Sequence, residues 1–137
     1  MRNFGRCETQ TGNPKVPCKE KRASIYFITR KGCVIRKIKV DGCVFRNETC
    51  CDYLVVDHND IEHFVELKGS KVSRAFEQLA ATIKKLSDNP SGGAKCAYVI
   101  CFKNPLGSTE IQVTQANFKR DYNATLYVEK PGYKVIL

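Results

Sequence analysis

The sequence reads as an α/β fold, a mixed β-sheet with helices packed against it, and three observations predict this. First, Tyr53–Val56 and residues 61–67 are rich in β-branched and aromatic residues and are separated by Asp57, His58, Asn59 and Asp60, the composition of two strands joined by a tight turn. Second, Val72, Ala75, Phe76, Leu79, Ile83 and Leu86 recur at the spacing of one helical face. Third, residues 94–102 are nearly all apolar, as in a central strand covered on both sides. Strand, long helix and buried strand in this order make a βαβ crossover, so the sheet should contain parallel pairing with a right-handed connection.

A chain of 137 residues is expected to form one domain. Residues 1–20 carry Gly5, Gly12, Pro14 and Pro17 without periodicity and read as an irregular basic arm. Residues 24–29 read as a strand, and Arg30-Lys31-Gly32 as a turn. In residues 34–40, Val34, Arg36, Ile38 and Val40 alternate against Ile35, Lys37 and Lys39, the pattern of a half-buried strand. Arg36 interrupts the apolar side, while Lys37 and Lys39 on the other side are candidate contacts to a phosphate backbone. Asp41-Gly42 ends this strand. Ser70 is the expected N-cap of the first helix. Asp88, Asn89 and Pro90, with Gly92 and Gly93, end it. A second helix is expected from Ser108 or Thr109 to Tyr122, although Ile111 and Val113 also fit a strand. Residues 125–128 and 133–137 read as a terminal hairpin around Pro131-Gly132.

No stretch is apolar enough to span a bilayer, and the N-terminal Met-Arg-Asn-Phe-Gly-Arg has no hydrophobic core of a signal peptide. The expectation is a soluble, cytoplasmic protein with no membrane partner, in which the sequons at Asn47 and Asn123 carry no meaning. The eight cysteines contain no C-x2-C pair, so a zinc site is not indicated. In a reducing compartment disulfides are not expected either. The cysteines read as small buried apolar residues, with a structural metal site assembled from Cys7, Cys18 and others as the alternative. Charge is uneven. Residues 1–46 hold 12 Lys/Arg against three acidic residues, and residues 47–137 hold 11 against 11, so the whole net charge of +9 lies in the first third. That asymmetry suits a polyanionic partner, with ordinary solubility charge as the plain alternative.

Chemistry concentrates in the hairpin. A turn centred on Asn59 sets Asp52 opposite Glu66, on one face and with Cβ atoms roughly 4.5–5.5 Å apart. Lys68 emerges two residues later on that face. Two such carboxylates repel unless a cation lies between them. A few hard oxygen ligands suit Mg²⁺ or Mn²⁺ better than Zn²⁺. The Lys68 ammonium would then orient a water or offset charge on a phosphoryl oxygen. A solvated charged strand face is the competing reading.

Asp-x13-Glu-x-Lys, the following Gly69 and the helix after it resemble the PD-(D/E)xK nuclease superfamily over residues 50–86, about a quarter of the chain. The resemblance implies a restriction-endonuclease-like mixed sheet flanked by helices. It implies that Asp52, Glu66 and the Leu67 carbonyl hold the metal, that Lys68 assists the attacking water, and that Gln78 lies beside the site. Cys51 stands where the name-giving Pro would be, and no helix is evident before the first strands. Asp41 is either a turn residue or a third acidic group, and Glu48 is a weaker candidate. Lys71, Arg74 and Gln78 make one helical stripe near Lys68, so Lys71 and Arg74 are candidate nucleic-acid contacts or simply a solvated flank. The implied function is metal-dependent hydrolysis of nucleic acid, DNA ahead of RNA, with a homodimer as a way to enlarge the recognition surface. The alternatives are a catalytically silent nucleic-acid- or partner-binding module on the same fold and a small metal-dependent phosphatase or deaminase. The deaminase pattern H-x-E…P-C-x-x-C is missing.

Overall fold

In the computed structural model, which describes residues 3–67, 71–103 and 106–137, two sheets and two α-helices stack in three layers. The larger sheet contains β1 (Glu8–Thr11), β4 (Ile35–Lys39), β5 (Tyr53–Val56), β6 (Glu62–Leu67), β7 (Lys95–Ile100) and β8 (Ala124–Glu129), in the spatial order β1-β4-β5-β6-β7-β8. Pairing is antiparallel from β1 to β6 and parallel from β6 to β8. The smaller sheet has the order β2 (Lys15–Glu20), β3 (Ala23–Ile28), β9 (Tyr133–Ile136).

Helices α1 (Val72–Leu86) and α2 (Ser108–Tyr122) both lie on one face of the large sheet, and the small sheet covers the other. The expected mixed sheet with flanking helices is present, and the small sheet is an addition to it. On the helix side Leu54, Phe64, Ala97 and Val99 meet the α1 stripe Val72, Ala75, Phe76, Leu79, Ile83 and Leu86, all six buried. On the other side Val55, Val65, Tyr98 and Ile100 meet Val16, Cys18, Ile25 and Phe27 of the small sheet. Strands β6 and β7 are buried on both faces, which is why residues 96–100 of β7 run nearly all apolar without alternation, while β6 buries the polar Glu62, His63 and Glu66 among its apolar residues. Lys71 occupies the cap position of α1, and Ser70 lies outside the described residues. No helix among the described residues is long and apolar enough to cross a membrane.

Three further expectations are corrected. The N-terminal segment is not an irregular arm: after a short 3₁₀ turn (Gly5–Cys7) it forms β1 and β2. Strand β2 buries Val16 and Cys18 between exposed Lys15, Pro17 and Lys19, and Pro17 is tolerated because β2 is an edge strand. Polar β1 is held by Glu8, whose carboxylate accepts two 2.7 Å bonds from the Arg36 guanidinium. The Arg36 bonds pull the Glu8 carboxyl down to about 2, and they account for an arginine on the apolar side of β4. The terminal hairpin is also absent. Strand β8 completes the large sheet beside β7, while β9 crosses over and pairs parallel to β3, with Gly132 N–H donating to Ser24 O.

Last, Cys7 and Cys43 form a disulfide, so the expectation of thiols throughout does not hold and Cys7 is unavailable to a metal site. The other six cysteines are thiols; Cys18, Cys50, Cys51 and Cys101 are buried, and burial pushes Cys18 up to about 12. The disulfide ties the chain ahead of β1 to the loop after β4 across a sequence separation of 36. Closing a loop of that size restricts the unfolded chain by about 3–4 kcal/mol. The double substitution Cys7→Ser, Cys43→Ser is therefore expected to lower the thermal midpoint by on the order of 10 °C. Thermal scans with and without reductant check this, since wild type under reductant should melt with the double variant.

Candidate active site

The register of the β5–β6 hairpin follows from its turn. Asp57 N–H donates to Ile61 O (3.1 Å) and Asp60 N–H to Asp57 O (3.0 Å), while Asp60 takes the left-handed φ of 61° that Asp tolerates. Asp57 Oδ1 accepts from the N–H groups of Asn59 (2.8 Å) and Ile61 (3.1 Å). The turn is thus centred on Asn59, and Tyr53 pairs with Val65, Leu54 with Phe64, Val55 with His63 and Val56 with Glu62.

Past Tyr53 the ladder changes. Asp52 N–H donates to Val65 O at 3.0 Å, although Val65 is already opposite Tyr53. Two residues of one strand face one of the other, which is a β-bulge, and bulges re-aim side chains. Asp52 Oδ2 accepts from the Leu67 N–H at 2.8 Å. Asp52 and Glu66 therefore sit at the same end of neighbouring antiparallel strands, with Asp52 shifted toward Leu67 instead of standing squarely opposite Glu66.

Glu66 is 1 % exposed and belongs to the helix-facing side of β6. Its charge, added to burial, helps to raise both the Cys50 and Cys51 thiols, and Asp52 also raises Cys51, so Cys51 lies within electrostatic reach of both carboxylates. Helix α1 is keyed to this point. The Cys51 N–H donates to Thr82 Oγ1 at 2.7 Å, and the Thr82 hydroxyl donates to Gln78 O at 2.8 Å. Gln78 is on the turn that docks beside Cys51, and its amide oxygen is shielded from solvent with no donor among the described residues.

Asp52 lines a cleft of about 500 Å³ together with Glu20, Asp41, Leu67, Lys21 and Arg22. Burial raises the Asp52 carboxyl above its ordinary value. The Leu67 N–H and Lys39 oppose that, and the carboxylates of Glu20 and Asp41 add to it. Asp41 thus shares the cleft with Asp52, whereas Glu48 lies 4.0 Å from Lys85. Glu20, Lys21 and Arg22 come from the β2–β3 turn of the small sheet and were not singled out in the sequence. Nothing in their spacing signals the cleft, because tertiary packing alone brings them there.

The basic candidates fare differently. Lys37 Nζ donates to Pro17 O (2.6 Å) and Lys39 Nζ pairs with Glu20 (2.5 Å), and both lie over the Tyr53 ring. They fasten the small sheet to the large one beside the cleft, so they do not form a free basic strip. Lys71 and Arg74 are exposed at the start of α1, Arg74 in a loose 3.8 Å pair with Glu77. Lys68 lies outside the described residues.

Among the described residues, no group of three or more His, Cys, Asp or Glu side chains could hold a metal ion. A two-carboxylate site with a backbone carbonyl needs no third side chain, because Mg²⁺ usually keeps several waters and takes one or two carboxylates. Asp52, crowded by like charge in a cleft, fits that donor set.

A second polar cluster escaped the sequence reading. Buried His63 places Nε2 2.9 Å from Asp57 Oδ2 and Nδ1 2.9 Å from the Tyr98 hydroxyl. Cys96 is its parallel-strand partner. Period-two patterning does put His63 on the face of β6 away from Glu66, but Asp57 and Tyr98 join it only through the turn and the crossover.

Compared with known proteins, the chain matches no family model, no curated protein and no solved structure.

Proposed function

We propose that this chain is a Mg²⁺- or Mn²⁺-dependent nuclease on a restriction-endonuclease-like core, hydrolysing phosphodiester bonds with DNA ahead of RNA. The observation that carries the reading is the position of Asp52 and Glu66 at the same end of neighbouring strands β5 and β6, with Asp52 lining a cleft that also holds Asp41, Lys21 and Arg22 and Glu66 buried on the helix side. The hairpin followed by α1 and then by parallel β7 is the arrangement that Asp-x13-Glu-x-Lys implies. Gln78, docked beside Cys51, is consistent with it.

Asp52, Glu66 and the Leu67 carbonyl would hold the cation. When bound, it supplies an activated water and offsets charge on the phosphoryl oxygens. The remaining work belongs to the chain. The bulge and the Leu67 N–H fix the Asp52 carboxylate, burial under α1 fixes Glu66, and the Lys68 ammonium orients the water and stabilises the charge that develops. Lys21 and Arg22 draw the polyanion toward carboxylates that would otherwise repel it.

Purified protein incubated with labelled single- and double-stranded DNA and RNA, with Mg²⁺, Mn²⁺ or chelator, tests this. Divalent-dependent cleavage is expected. Binding without cleavage under every condition would replace the nuclease with a silent binding module.

The cation needs Asp52 charged, and the Asp52 carboxyl is raised above the usual aspartate value. Protons should therefore compete with the metal at a pH above the ordinary aspartate range of about 4. Mg²⁺ affinity by calorimetry is expected to fall as pH drops through that elevated value and to level off above it. An acid limb at the ordinary aspartate value would separate Asp52 from the cation.

A further inference from the structure

The cavity next to the candidate site has its own chemistry. It measures about 470 Å³, lies at the carboxyl ends of β7 and β8, and is lined by Phe102, Val128, Pro131 and Tyr133, with Glu129 and Lys130 supplying polar groups. That volume is typical of small-molecule sites, and in open α/β sheets ligands bind outside the carboxyl ends of the strands. Phe102 also lines the cleft that holds Asp52 and Asp41, so the two spaces adjoin across one side chain. Phe102 is 45 % exposed, and the Arg22 guanidinium lies over its ring at 5.3 Å. Carboxylates, an Arg–Phe pair and an apolar cavity therefore follow one another along the surface.

We propose that this cavity receives an unpaired nucleobase stacked on Phe102, which makes a single strand the substrate of the site. The assignment of the neighbouring cleft to the scissile phosphate rests on the nuclease reading. Aromatic side chains hold successive bases of a single strand with little sequence preference, because every base presents a π-face. Arg22 reaches the cleft and the ring together, so it meets a phosphate on one side while supporting the stacked base on the other. The Glu129 carboxylate is placed to accept from the amino and ring N–H groups of a base. A base in a duplex is stacked and paired, and it reaches such a cavity only by being flipped out at an energetic cost.

The probe is a short single-stranded oligonucleotide carrying 2-aminopurine, with its duplex as comparison. Binding is measured in Mg²⁺ with Asp52→Asn, to keep strands intact. Stacking should quench the fluorophore in the single strand. Phe102→Ala should abolish the quench and weaken single-strand binding by about 5- to 150-fold, the range for loss of one stacked base. Phe102→Trp should restore both, and duplex binding should not change. Persistent quenching in Phe102→Ala, equal losses for single strand and duplex, or no single-strand binding at all would overturn the proposal. Cleavage by the unsubstituted protein separates the two readings. Cleavage without Phe102-dependent quenching leaves the nuclease and removes the base site. Phe102-dependent quenching without cleavage leaves the base site and removes the nuclease.

Discussion

Lys68→Ala is expected to cut turnover by about 10²–10³-fold while leaving divalent-ion binding intact, because it removes an electrostatic group used in the transition state and no metal ligand. Glu66→Gln should fail differently: it preserves shape at a position that is 1 % exposed but removes ligand charge, so the metal itself binds weakly. Asp52→Asn should lose metal binding too, yet with a distinct signature. An amide oxygen still accepts the Leu67 N–H, and the substitution removes a charge that burial, Glu20 and Asp41 all disfavour. Metal-free Asp52→Asn should therefore melt a few degrees above wild type, whereas a variant inactive through misfolding melts below it. In wild type, Mg²⁺ at about 100 times its Kd adds about 2.7 kcal/mol, and in Asp52→Asn that gain should vanish. Calorimetric Mg²⁺ and Mn²⁺ titrations, thermal melts and cleavage assays on all three variants give the full pattern. If wild type binds neither ion and the three variants match it on every substrate, the nuclease reading fails.

The parts of this fold that were legible in the sequence are those fixed locally. The α1 stripe from Val72 to Leu86 is a matter of helical period, and the register of β5 with β6 is a matter of the Asp57–Asp60 turn. Lys95 to Ile100 reads as a central strand because both of its faces are covered. What stayed hidden depends on contacts far apart in the chain. Four-residue β1 is polar and is held by Arg36, so its own residues carry no strand signal. Pro131-Gly132 announces a reversal without saying which sheet receives β9. Cys7 and Cys43 show no spacing signature. In the candidate site, alternation places Asp52 opposite Glu66 only while the ladder is regular, and the bulge at Asp52 interrupts it. Glu20, Lys21 and Arg22 reach the cleft only because Val16, Cys18, Ile25 and Phe27 dock the small sheet where they do.

His63→Ala should destabilise the fold by about 3–5 kcal/mol, the cost of breaking a buried charged pair from one side. It strands the Asp57 carboxylate 2.9 Å from a vanished ring and leaves the Tyr98 hydroxyl without that partner. It also removes the ring stacked on Tyr98 at 5.8 Å and edge-on to Phe27 at 5.3 Å. The pH dependence has a definite sign. Burial pulls the His63 imidazole down, but the Asp57 carboxylate and then the Cys96 thiol outweigh it and leave the pKa above its ordinary value. Stability from a raised histidine is complete below its unfolded value of about 6.5 and is lost as pH climbs through the folded value. Burial likewise raises Asp57, yet the His63 bond and the Ile61 and Asn59 N–H groups leave it lowered. That contribution is present above about 3.8 and is lost as pH falls through the lowered value. The pair therefore stabilises most between about pH 4 and 6.5. Urea unfolding of wild type and His63→Ala at about pH 5.5 and 8.5 should show a smaller difference at the higher pH. Equal differences at both would mean that the imidazole is never charged in the fold and acts only by packing. Because His63 does not line the cleft that holds Asp52 and lies on the opposite face of β6 from Glu66, cleavage per folded molecule should be unchanged in this variant.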